Sequence, residues 1–126
     1  MNSETATITG NEHAEWVSTL GFFKDELGIY KNRLTEVAGK NTSREIAQQV
    51  EHFQNQFIVQ NEKIDQLKHD IKRNRKMMAS EMQQSDNPMS PEQLNSLSEF
   101  KERVDAEDKI FSELKQEFNE FLSGVM

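Results

Sequence analysis

Between residues 46 and 78, Ile46, Val50, Phe53, Phe57, Gln60, Ile64, Leu67, Ile71, Asn74 and Met78 follow one another at alternating steps of four and three. That spacing keeps one stripe of a helix turned toward partner helices, and no helix breaker interrupts it. A helix of roughly 35 residues is about 50 Å long, too long for a compact globule and natural for an elongated bundle. The same alternation recurs upstream in Trp16, Leu20, Phe23, Leu27, Tyr30, Leu34 and Val37. It recurs downstream in Leu97, Phe100, Val104, Glu107, Phe111, Leu114, Phe118, Phe121 and Val125, with Leu94, Ile110 and Leu122 widening the stripe.

Punctuation between the stripes sets the helix ends. Asn11 suits a cap, with Glu12 and Glu15 at the positive end of the first helix dipole, and Gly39 is expected to stop that helix. Thr42 or Ser43 then caps the second helix, with Glu45 in its first turn. Residues 83–91, with two prolines and several turn formers, read as a loop. Ser90, Pro91 and Glu92 read as the start of the third helix, which Ser123 and Gly124 end. The chain is therefore predicted to be all-α. A flexible N-terminal arm over 1–10 precedes one domain over 11–126, with helices at 12–38, 44–82 and 91–123. Short connections make neighbours antiparallel, giving an elongated up-down-up three-helix bundle with coiled-coil-like packing.

Composition agrees with a thin seam rather than a wide core: 34% of the 126 residues are hydrophobic and mean hydropathy is −0.84. The net charge of −7 argues against non-specific nucleic-acid binding by the whole molecule. There is no cysteine, which excludes disulfides, thiol catalysis and the commonest soft metal ligand. The polar, Thr-rich start has no apolar core of a signal peptide, and no run approaches the length of a membrane span. A cytoplasmic protein is expected.

Four features stand apart from the seam. Gln60, Asn74 and Glu107 occupy seam positions, where buried polar groups fix helix register at some cost in stability. Reflection about the two turns sets Gln60 level with about Phe22 and Ser112, and Glu107 level with about Trp16, Ile64 and Leu67. A buried carboxylate needs a partner, and the Trp16 indole, His13, Lys63 and Lys68 are the candidates. On the outer face of the first helix, Ala14, Gly21, Gly28 and Thr35 recur every seven residues beside Phe22 and Ile29. Small residues flanked by apolar ones let another helix approach, so Gly21, Phe22, Gly28 and Ile29, with Ile58 and Val59 from the second helix, are read as a homodimer interface.

A first helix starting near residue 12 would leave the far end of the bundle with two helices. Ile71, Met77, Met78, Met82, Leu94 and Leu97 would then form a Met-rich fork open to a partner. Beside it, Lys68, Lys72, Arg73, Arg75 and Lys76 form a basic patch suited to an anionic surface, without the interleaved aromatics that stack on bases.

Chemistry-bearing motifs are missing. The di-iron pattern of bundles uses Glu-x-x-His, but the triads ending in His52 and His69 begin with Gln49 and Gln66, and both histidines point away from the seam. No phosphate loop, nucleophile elbow or paired-acid cleft appears.

The runs Phe22-Phe23-Lys24, Arg33-Leu34, Lys40-Asn41-Thr42 and Glu51-His52-Phe53-Gln54-Asn55-Gln56-Phe57 resemble a group of short helical proteins of Bacteroidota bacteria. The resemblance covers about half the chain and implies a bacterial cytoplasmic setting, with no activity attached. Spectrin-like repeats are similar in architecture only. The sequence thus predicts a non-enzymatic interaction or scaffold protein that self-associates through its first helix, binds a protein partner and needs no cofactor. Two alternatives stand beside it: a metal-binding or redox bundle using His13 and Glu107, and a binder of anionic surfaces through the basic patch.

Overall fold

The computed structural model describes the backbone of residues 2–84 and 90–125 and the side chains of 11–81 and 90–125. Three helices, α1 (Asn2–Lys40), α2 (Arg44–Gln84) and α3 (Pro91–Val125), account for nearly all of this. At 1.5 Å per residue, α2 is about 60 Å long.

Contacts fix the topology. Along α1, His13, Lys24 and Tyr30 meet Asn74, Asp65 and Phe57 of α2, so one helix climbs as the other descends. Between α2 and α3, Phe53 meets Phe121, Asp70 meets Arg103 and Glu81 meets Gln93, which is again antiparallel. Phe23 stacks on Phe111 and Glu26 pairs with Lys115, so α1 and α3 run parallel. The molecule is the up-down-up three-helix bundle that the heptad spacing predicts.

The core is drawn from the stripes read from the sequence, with Trp16, Tyr30, Ile46, Leu97, Phe100 and Val125 only half-buried. Leu20, Phe23, Leu27, Leu34 and Val37 of α1 face Val50, Phe53, Phe57, Ile64, Leu67, Ile71 and Met78 of α2, and Val104, Phe111, Leu114, Phe118 and Phe121 of α3. Its widest layer is aromatic. Phe118 is fully buried, with its ring 5.1 Å from Phe57 and 5.3 Å from both Phe53 and Tyr30. Such tilted and edge-on pairs add to the burial of area itself. Tyr30 keeps its hydroxyl at the edge, donating to Glu26 Oε2 at 3.1 Å. Burial first, and then that hydrogen bond and the glutamate charge, hold the phenol pKa above its ordinary value.

Two helix starts follow the sequence closely. Ser43 Oγ accepts from the Ile46 amide at 3.4 Å. Ser90 and Gln93 form a reciprocal box, Ser90 Oγ accepting from the Gln93 amide and Gln93 Oε1 from the Ser90 amide.

Three expectations need correction. Gly39 does not stop α1: no glycine takes a positive φ among the described residues, and the helix runs through it to Lys40. Asn41 does the stopping, its amide and side-chain Nδ2 both donating to the Val37 carbonyl at 3.1 and 2.9 Å. The segment 1–10, expected as a loose arm, is helical from Asn2 onward. It contains no proline, and lengthening a helix that already exists fixes one residue per hydrogen bond without a new nucleus. The register is also shifted. The contacts of His13 with Asn74 and of Tyr30 with Phe57 set Gln60 level with about Leu27 rather than Phe22, and Ile58 level with Ile29. The α2–α3 loop falls largely outside the described residues.

Candidate functional site

The outer face of α1 carries two of the exposed large apolar side chains. Phe22 and Ile29 are each 58% exposed although they are large and lie one heptad apart. Gly28 beside them has nothing within 4 Å of where a Cβ would stand. Gly21 has a neighbour: a Cβ there would come 3.8 Å from Lys68 Nζ, an ordinary contact. The Lys68 ammonium therefore reaches back over α1, and Ser18, Gly21, Phe22, Lys24, Asp25 and Lys68 enclose a shallow groove.

Ile58 and Val59 are both exposed but do not share a face, since adjacent helical residues point about 100° apart. Ile58 precedes Asp65 by two turns, and Asp65 pairs with Lys24 of α1. Ile58 therefore flanks the α1 side, level with Ile29. Val59 stands one turn before Lys63, which lines a different groove, toward α3. Of the six residues read as one interface, the structure groups Gly21 with Phe22 and sets Ile58 level with Ile29, while Val59 lies apart.

The Met-rich fork is not a fork. Ile71 and Met78 are buried in the core, Leu97 is half-buried, and only Met77 and Leu94 are exposed. The side chain of Met82 lies outside the described residues. The physical reason is the length of α1: its helix continues from His13, opposite Asn74, back to Asn2, well beyond the start expected near residue 12.

The basic patch survives as geometry. Lys72, Arg73, Arg75 and Lys76 are exposed and Lys68 is half-buried. None of the five pairs with a carboxylate among the described residues, whereas Lys24, Arg103 and Lys115 do. Asp70, the one acid inside the run, turns to α3: Arg103 donates to its Oδ2 at 3.0 Å and Gln66 to its Oδ1 at 2.9 Å. The Arg103 hydrogen bond holds the Asp70 carboxyl below its ordinary pKa, so it stays charged and committed elsewhere.

The buried polar positions divide. His13 is fully buried, its Nε2 3.0 Å from Asn74 Oδ1 and its ring edge-on to Trp16 at 5.5 Å. The sequence named His13 and Asn74 separately. Only the register set at the α1–α2 turn pairs them. Glu107 is 6% exposed, and its Oε1 has no hydrogen-bond partner among the described residues, as is also true of Gln60 Oε1. Of the four partners expected for Glu107, Lys63 acts on it through charge. Burial raises the Glu107 pKa more than Lys63 lowers it. Lys68 lies over Gly21 instead, and His13 is engaged with Asn74.

No three His, Cys, Asp or Glu side chains gather to hold a metal among the described residues. The His13 and Glu107 metal reading therefore has no donor set there. His52 and His69 are exposed, as their phase on α2 predicts. Comparison with family models, curated proteins and solved structures finds no match. No helix among the described residues is long and apolar enough to cross a membrane.

Proposed function

We propose that the protein is a non-enzymatic, cytoplasmic interaction module whose α1 outer face pairs two copies of the bundle. One observation carries this reading: Phe22 and Ile29, large apolar side chains one heptad apart on one helix, are each 58% exposed. Each leaves apolar surface in water that a second helix would cover, at about 25 cal/mol per Å². Gly28, with open space around it, permits close helix approach, and Ile58 extends the same tier from α2. The alternation of three and four along all three stripes supports coiled-coil-like interlocking within each copy.

Sedimentation velocity at micromolar concentration tests the proposal. The wild type is expected at twice the 14.7 kDa chain mass, and Phe22→Ser with Ile29→Ser at the single-chain mass with unchanged helicity. A wild type that sediments as a single chain at every concentration would end it.

A further inference from the structure

The five cations of residues 68–76 lie outside the core, and of the five Lys68 alone lines the groove beside Phe22, so their arrangement goes beyond self-association. Lys68, Lys72, Arg75 and Lys76 stand four, three and one residues apart, so they share one side of α2 along about 12 Å of a rigid rod. Crowding like charges on successive turns is unfavourable. Two carboxylates of α2 close to the stripe are engaged elsewhere, Asp65 by Lys24 and Asp70 by Arg103 and Gln66.

From this stripe we infer that the protein docks on anionic phospholipid surfaces through Lys68, Lys72, Arg75 and Lys76. A protein partner would be expected to seat an apolar anchor, but Ile71, the only apolar residue in the run, is fully buried. Base stacking is not offered within the run either, since it contains no aromatic residue. A line of cations without an apolar centre fits a diffuse sheet of phosphate-bearing headgroups, where each basic residue adds independently. Asp25, at the rim of the groove that Lys68 closes, opposes the attraction.

Vesicle co-sedimentation of the full chain tests this. The wild type should pellet with phosphatidylserine-containing vesicles at low salt, remain in solution with phosphatidylcholine alone, and lose most binding at physiological salt. Lys72→Gln with Arg75→Gln and Lys76→Gln should weaken binding by more than about tenfold, while circular dichroism and sedimentation mass stay those of the wild type. No pelleting at low salt overturns the inference. So does equal binding by the triple variant, or retention of a single-stranded oligonucleotide where vesicles fail. Because the triple variant leaves Phe22 and Ile29 intact, loss of vesicle binding and loss of self-association are read separately.

Discussion

Replacing Glu107 by leucine should make the protein more stable at neutral pH. The carboxylate is 6% exposed and its Oε1 lacks a partner among the described residues, while Leu67 and Ile110 line the same groove. An unsatisfied buried polar group costs about 1–3 kcal/mol, and apolar replacement of a buried charge is commonly neutral or stabilising by a similar amount. A gain of about 1–2 kcal/mol corresponds to roughly 3–10 °C in Tm for a chain of this size. Its pH dependence follows from linkage. Burial raises the folded pKa of Glu107 above the unfolded value of about 4.3. Between the two values the native state holds a proton that the unfolded chain has lost, so this group's contribution to stability falls as pH rises through that window. Above the raised pKa the penalty is complete. The Tm difference between Glu107→Leu and wild type should therefore be largest near pH 7 and shrink as the pH is lowered toward 4. Calorimetry of both proteins across that range measures it. A leucine variant less stable than wild type at pH 7, or a difference that ignores pH, would refute the reasoning and show that Glu107 is well satisfied.

Three further outcomes follow from the packing. Phe118→Ala, which empties a fully buried position touching Tyr30, Phe53 and Phe57, should cost about 3–5 kcal/mol in urea unfolding; a cost below 1 kcal/mol would mean that the aromatic layer is loose. Asn74→Ala leaves the buried His13 Nε2 without its 3.0 Å partner and should cost about 1–3 kcal/mol, with hydrogen-exchange protection falling most around His13. Gly28→Ala meets open space and should add about 0.5–1 kcal/mol to stability while weakening self-association, a pairing of effects that a purely structural glycine would not give.

The seam was legible in the sequence because a heptad stripe is a local, repeated signal: Phe57, Phe111 and Phe118 needed only their spacing to be placed inside. Caps were legible where one side chain decides them, as at Ser43 and Ser90. Gly39 misled because a helix ends where an alternative partner captures its last carbonyls, and Asn41 supplied that partner two residues later. The reach of α1 back to Asn2 was hidden by a polar stretch without an apolar stripe, and the error propagated. It created the fork at Ile71 and Met78, whereas the register set at the α1–α2 turn concealed the pairing of His13 with Asn74. Exposure of Phe22, Ile29 and Ile58 followed from helical phase alone. Separating Ile58 from Val59 required knowing which side of α2 faces Lys24 and which faces α3.

The proposal that α1's outer face joins two copies is tested most directly by a covalent trap, made clean by the absence of cysteine. Asp25→Cys sits exposed between Phe22 and Ile29, and mild oxidation should convert it to a disulfide-linked dimer far faster than Lys101→Cys on α3, with the advantage lost on adding Phe22→Ser and Ile29→Ser. Equal cross-linking at the two sites, or a chain that stays single at position 25, would contradict it.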